Sequence, residues 1–318
     1  LYLLRTATIL REDPISVGGN AASMRTYLDC YPCFLNQVLN LSRRTGFDEA
    51  GQRRLVNRVL EKLRDLPGGM RPPEMGRAIY RMVSEETGIR DLYAEEKRVS
   101  NRGALEIAPR IREAVGQAED PLFAALEYSI AGNSIDFGAR HDFDIMESLE
   151  ALIEDEAELI KNERPELFAY QAFLDRISGA GQLLYIADNA GELVFDGILA
   201  DTIAEHYPGL SITVAVREEP ILNDATPDDA RETGLDERFR VISSGSTAPG
   251  TLIDECSAEF RREFEEADVV ISKGQGNYET LSDVQREIFL LLKIKCGVIA
   301  ADTGGRLGDI LLLHHRSS

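Results

Sequence analysis

Residues 183–196 read LLYIADNAGELVFD. An apolar run, Leu183–Ala187, stops abruptly at Asp188-Asn189, and a small-residue turn, Ala190-Gly191, opens into a stretch with the composition of a helix. In an open parallel sheet, ligands bind in the crevice beyond the carboxyl ends of the strands, where such turns lie. A carboxylate followed at once by an amide suits a hard divalent cation, which takes oxygen ligands. The stretch therefore predicts an α/β sheet with a candidate metal site at its edge.

Outward from this stretch the same grammar repeats. Apolar runs Ile212–Val216, Phe239–Ile242, Val269–Ile271 and Val298–Ala301 have the length of strands, and helical stretches at about 191–206, 227–233, 251–266 and 280–293 separate most of them. Strands alternating with helices imply a mostly parallel, Rossmann-like sheet with crossover helices. The first half has a different period. Leu55, Val56, Val59, Leu60 and Leu63 share one helical face, Pro72-Pro73 opens a helix that Gly88 ends, and Asp120-Pro121 is an N-cap followed by proline. A further amphipathic stretch carries Leu149, Leu152, Ile153 and Ile160. The expected organisation is α/β with an all-helical N-terminal subdomain over 24–175 and an α/β metal-binding domain over 176–318. Residues 1–23 are read as a loosely ordered or non-native extension, with Met24 as the expected start.

Composition narrows the partners. A formal net charge of -20 argues against an extended nucleic-acid or anionic-membrane surface, because phosphate backbones attract Lys and Arg. It leaves room for a small phosphorylated ligand, since a bound cation reverses the local field. No apolar run approaches the roughly 18 residues of a membrane span. The four cysteines, Cys30, Cys33, Cys256 and Cys296, are too few for a disulfide framework and suit a reducing cytoplasm. Cys30-Tyr-Pro-Cys33 has redox-motif spacing, but its flanks are helical and no second pair completes a zinc site, so structural cysteines are expected first. Oligomeric state is not legible.

Further candidates cluster at the ends of the apolar runs. Thr226 caps a helix opened by Pro227, which leaves Asn223 and Asp224 in the preceding loop. If the first two strands are neighbours, Asp224 reaches the same sheet edge as Asp188 and Asn189, and the three supply oxygen ligands with room for water and substrate. All three are also ordinary turn formers. The fourth strand ends in Lys273-Gly274-Gln275-Gly276-Asn277, a glycine-bearing loop before a helix. It reads either as an anion cradle with a lysine point charge or as a plain loop with a solvated lysine. Lys295 directly enters the last apolar run, where it either meets an anionic partner or snorkels to solvent. Asn133 and Asp136 sit in Gly132-Asn133-Ser134-Ile135-Asp136-Phe137-Gly138, a segment that either leans over the site or simply joins two helices.

Taken together these segments resemble the damage-control phosphatase family, also known by its acidic-residue methyltransferase-like domain. The resemblance covers most of residues 24–302. It rests on Cys30-x-x-Cys33, AGNSIDFG at 131–138, ADNAGELVFD at 187–196, LNDAT at 222–226, KGQGNYETL at 273–281 and KIKC at 293–296, in that order. The Cys30-x-x-Cys33 start resembles the prokaryotic-type subgroup. The resemblance implies a three-layer α/β/α domain beside the helical subdomain. It implies hydrolysis of phosphomonoesters of small metabolites, sugar phosphates or damaged phosphometabolites, with Mn²⁺, Co²⁺, Ni²⁺ or Mg²⁺. It carries the metal triad onto Asp188, Asn189 and Asp224, and the phosphate side onto the Lys273–Asn277 loop and Lys295.

On chemical grounds alone these groups suffice for phosphoryl transfer, which is mainly positioning and charge stabilisation. Attack by water and attack by an aspartate such as Asp188 or Asp224 both remain open. Two other functions compete: an adenosylmethionine-dependent carboxyl methyltransferase, disfavoured because no glycine-rich cofactor loop follows the first strand, and a non-catalytic protein that binds a metal or a phosphometabolite.

Overall fold

The computed structural model describes residues 24–67, 69–132 and 164–316. The expectations for residues 1–23, for Asn133 and Asp136 and for the Leu149–Ile160 stretch fall outside the described residues.

Among the described residues five helices come first: α1 (Cys30–Arg44), α2 (Glu49–Arg64), α3 (Pro72–Thr87), α4 (Ala94–Gln117) and α5 (Pro121–Ala131). Their ends follow local chemistry. The Asp48 side chain accepts the Gly51 N–H at 2.8 Å to cap α2, and Asp120 accepts the Phe123 N–H at 3.0 Å to cap α5. α3 starts on Pro72-Pro73 and stops at Gly88, whose φ is 70°.

After α6 (Tyr170–Ile177) the chain alternates: β1 (Gln182–Ile186), α7 (Glu192–His206), β2 (Ser211–Val216), α8 (Pro227–Glu232), β3 (Arg240–Ser243), α9 (Ala258–Glu266), β4 (Val269–Lys273), α10 (Gln275–Leu281), β5 (Ile288–Lys293), α11 (Gly297–Thr303) and β6 (Ile310–His315). The six strands form one sheet in the order β3-β2-β1-β4-β5-β6. Pairing is parallel from β3 to β5, and β6 joins β5 antiparallel. The order reverses direction between β1 and β4, which is where such sheets open a ligand crevice.

Two expectations fail at the C-terminal end. The stretch read as a helix over 280–293 contains the strand Ile288–Lys293, and the run Val298–Ala301 read as a strand belongs to α11. Ile288 through Leu292 are buried on both sides between β4 and β6, so the run carries no period to separate strand from helix. The strand thus ends before Lys295, which sits in the β5–α11 connection rather than at a strand start.

Apolar packing ties the helices to the sheet. Ile107 and Ile111 of α4 and Leu122 and Leu126 of α5 share one core with Leu184, Ile186, Ile271 and Phe289 of the strands. A second cluster joins α1, α2 and α3 through Val38, Leu41, Leu55, Val59, Ile79 and Val83, and it takes in Ile221 from the loop after β2. Each fully buried aliphatic side chain of this kind contributes about 1.5–3 kcal/mol. Through Ile221 the second cluster also anchors the loop that carries Asp224.

Candidate active site

β1 and β2 pair in register from Gln182↔Ser211 to Ile186↔Ala215, so their carboxyl ends open on the same edge. Backbone pairing continues past both strands. The Ala187 N–H donates to the Ala215 carbonyl at 3.0 Å, the Ala190 N–H to Asn223 at 2.9 Å, and the Ala225 N–H to Asp188 at 2.8 Å. An antiparallel bridge joins Asn189 to Asp224. Asp188, Asn189 and Asp224 are therefore brought together by main-chain bonds, and they line one cavity of about 300 Å³. Lys295, Gln275, Gly276 and Glu279 line it as well, and α1 and α3 close it with Cys33, Phe34, Gln37, Pro72, Pro73 and Gly76. Leu222, also at the cavity, has a φ of 48°, a strained conformation for a branched side chain and one that concentrates at functional sites.

The cavity is acidic. Burial raises Asp188 above the usual carboxylate range, against the pull of Lys295, Arg217 and Lys273. Burial, with repulsion from Asp188, pushes Asp224 up to about 7 although Arg217 opposes it. Glu279 is pushed up to about 7 by burial, with its Oε1 held by the Gln275 amide at 3.1 Å. Two buried carboxylates, one of which raises the proton affinity of the other, next to an amide, form a donor set that suits a hard cation. The Asn189 amide nitrogen donates to Asp188 Oδ2 at 2.9 Å and to Glu192 Oε1 at 2.6 Å, so its oxygen, the atom a cation would take, lies on the other side of the amide.

The glycine-bearing loop departs from its cradle reading. Gly274 has a φ of 83°, and a Cβ there would stand 1.9 Å from Asp188 Oδ2, so its lack of a side chain makes room for the carboxylate. Lys273 does not line the cavity. Its ammonium, 1 % exposed, donates to the Ser129 carbonyl at 2.8 Å, Asp196 Oδ1 at 2.6 Å and Glu192 Oε2 at 3.3 Å. Burial lowers its proton affinity, but Asp196 and Glu192 outweigh that and hold Lys273 above the usual lysine range. Asp196 Oδ1 also accepts from Ser129 Oγ at 2.9 Å and Tyr185 Oη at 2.7 Å. A lysine at the end of a buried strand meets carboxylates of α7 there, because charge in the core must be paired. Asn277 is likewise fully buried and structural: it donates to the Ala187 and Lys273 carbonyls at 3.2 and 2.8 Å. Of the residues read as the phosphate side, Gln275, Gly276 and Lys295 line the cavity.

Arg217 went unread in the sequence. It follows β2 directly and is 1 % exposed. Its Nε donates to Asp224 Oδ2 at 2.8 Å, Nη1 to Thr251 Oγ1 at 3.0 Å and Nη2 to Asn277 Oδ1 at 2.9 Å. One guanidinium thus locks Asp224 to the loop after β3, through Thr251, and to α10, through Asn277. Glu192 and Asp196 were missed too, although they stand four residues apart on α7, buried nearly all round, where acids require partners. The cysteines are free thiols; Cys33 lines the cavity, and burial pushes Cys30 up to about 11.

The fold and the site together define an α/β protein of Rossmann-like strand order with paired carboxylates at adjacent strand ends. The model of the damage-control phosphatase ARMT1-like domain matches residues 26–311, and the chain belongs to that family. It is 32% identical over 290 residues to a damage-control phosphatase of Archaeoglobus fulgidus, covering 89% of this chain and 96% of that one. It is 31% identical over 298 residues to a damage-control phosphatase of Pyrococcus horikoshii, covering 92% and 99%. The crystal structure of a DUF89 family protein from Pyrococcus horikoshii superposes with a TM-score of 0.82 at 29% identity, over 92% of this chain and all of that one. None of the described helices is long and apolar enough to cross a membrane.

Proposed function

We propose that this protein is a divalent-metal-dependent phosphatase that hydrolyses phosphomonoesters of small metabolites. The observation that carries the reading is the main-chain bridge that sets Asp188, Asn189 and Asp224 together in a cavity shared with Lys295. Once ionised, Asp188, Asp224 and Glu279 face that cavity against one lysine, a balance that repels a phosphate dianion unless a cation is present. Asp188 and Asp224 with the Asn189 oxygen would hold Mn²⁺, Co²⁺, Ni²⁺ or Mg²⁺, which when bound polarises a phosphoryl oxygen.

The chain's own groups do the rest. Arg217 keeps Asp224 aimed at the cavity and opposes the protonation that burial favours. Lys295 supplies positive charge to the phosphoryl oxygens as charge develops in transfer. Phe34, Pro72, Pro73 and Leu222 give the leaving group an apolar wall.

The test is turnover of a phosphomonoester panel by chelator-stripped protein, with each metal added back in turn and Asp188→Ala as the control. Release of phosphate that depends on metal and vanishes in the variant supports the assignment. Equal turnover by the stripped protein, or by Asp188→Ala at saturating metal, overturns it.

A further inference from the structure

α4 lies against the two loops that carry Asp188 and Asp224. Lys97 and Asn101, one helical turn apart on α4, are 5 % and 0 % exposed, an unusual depth for polar groups that must then be satisfied. The Asn101 amide is satisfied at both ends. Its oxygen accepts the Gly191 N–H at 2.6 Å, three residues beyond Asp188. Its nitrogen donates to Asp229 Oδ1 at 3.1 Å and Glu232 Oε2 at 2.7 Å.

Asp229 in turn holds the other loop. Its Oδ2 accepts the Thr226 N–H at 2.9 Å and the Thr226 hydroxyl at 2.7 Å, two residues beyond Asp224. Lys97 completes the group, with its ammonium 3.0 Å from Asp229 and 3.1 Å from Asp91. Slippage is blocked sterically as well. Gly191 has a φ of 68°, and a Cβ on it would stand 2.9 Å from the Ser100 Cβ, so the helix already sits at closest approach to the first loop.

We propose that Asn101, with Asp229 and Lys97, is a positioning clamp that sets the spacing between Asp188 and Asp224 and thereby the affinity of the site for its cation. The proposal rests on the reading of those two aspartates as cation ligands. Main-chain bonds from Ala190 to Asn223 and from Ala225 to Asp188 join the two loops on the side of the sheet. Asn101 and Asp229 add an attachment from outside it, holding the first loop at Gly191 and the second at Thr226, each just beyond its aspartate. Partners that orient metal ligands in this manner change affinity or activity by about 10–100-fold when removed.

The test has two arms, both on the full chain. The first, made without metal, is hydrogen exchange at the Gly191 and Thr226 amides. Asn101→Ala is expected to expose Gly191 while the β1 and β4 amides keep their protection. Unchanged Gly191 protection overturns the clamp itself. The second arm is calorimetric titration of chelator-stripped protein with Mn²⁺ alone. Asn101→Ala is expected to weaken binding about 10–100-fold.

Asn101→Asp keeps the acceptor for Gly191 but sets a third carboxylate against Asp229 and Glu232, and is expected to weaken binding at least as much as alanine. Asn101→Asp with Asp229→Asn and Glu232→Gln turns both contacts round, serves where the alanine variant fails to fold, and is expected to recover affinity to within about threefold of the unsubstituted protein. A role confined to folding predicts a lower melting temperature with unchanged Mn²⁺ affinity, and that result overturns the proposal. Failure of the unsubstituted protein to bind Mn²⁺ overturns the cation-site reading, and the clamp's purpose with it, while the exchange arm still reports whether the clamp exists.

Discussion

Replacing Gly274 by alanine separates the chemistry of Asp188 from the stability of the fold. At a φ of 83° and a ψ of 164°, a region used almost only by glycine, an alanine is strained by about 1–3 kcal/mol. Its Cβ would also fall 1.9 Å from Asp188 Oδ2 and 2.2 Å from its Cγ. Ordinary contact begins at 3.4 Å, so the carboxylate must retreat from the methyl group by about 1.5 Å. A misplacement of about 1 Å in a catalytic constellation costs roughly 100-fold in rate.

The strain alone lowers the melting temperature by a few degrees, at about 2–4 °C per kcal/mol for a chain of this size. The expected result for Gly274→Ala is therefore a folded protein, slightly less thermostable, whose metal-dependent kcat/KM falls by about two orders of magnitude. The assay is steady-state release of phosphate from a simple aryl phosphate, alongside scanning calorimetry. Gly209→Ala is the control, because nothing lies within 4 Å of a Cβ at that position. Activity in Gly274→Ala equal to that of Gly209→Ala would refute the placement of Asp188 at the reacting centre.

Three other outcomes follow from the same geometry. Lys273→Met leaves Asp196 and Glu192 as buried charges without their ammonium, and is expected to cost about 3–5 kcal/mol in denaturant unfolding. A lysine that only contacted phosphate would spare stability and raise KM. Lys295, which is exposed at the cavity, is expected to show the reverse: Lys295→Ala changes stability by no more than about 0.5 kcal/mol but weakens kcat/KM by about 10–100-fold. For pH, burial holds Asp224 at about 7 in the folded protein, above its unfolded value, so the folded state binds the proton more tightly. That group's contribution is most favourable below about pH 4 and is lost as the pH rises towards 7. In calorimetry of the metal-free protein, Asp224→Asn is expected to flatten the fall in melting temperature over that window. An unchanged slope contradicts the burial argument.

Much of this was legible in the residues and some was not. The run Leu183–Ala187 and the turn at Asp188-Asn189 announced β1 and the turn at its carboxyl end, and Thr226-Pro227 located Asp224 in a loop at the neighbouring strand end. These signals are local, so a sequence carries them directly. The roles of Lys273 and Lys295 were harder to read because each depends on tertiary surroundings. Lys273 turns into the core because α7 places Glu192 and Asp196 under β4, a pairing across 77 residues for Asp196. The Ile288–Lys293 run could have been strand or helix until its neighbours in the sheet were known. Arg217 left only one trace, an arginine directly after a buried strand, where a charged group needs a partner.

The most direct measurement of the central claim is anomalous diffraction at the manganese edge from crystals of the protein grown with Mn²⁺. The account predicts one peak within coordination distance, about 2.1–2.2 Å, of carboxylate oxygens from both Asp188 and Asp224, with the Asn189 oxygen beside it. A peak bound elsewhere in an enzyme that is active with Mn²⁺, or no peak between these residues at saturating metal, would contradict it.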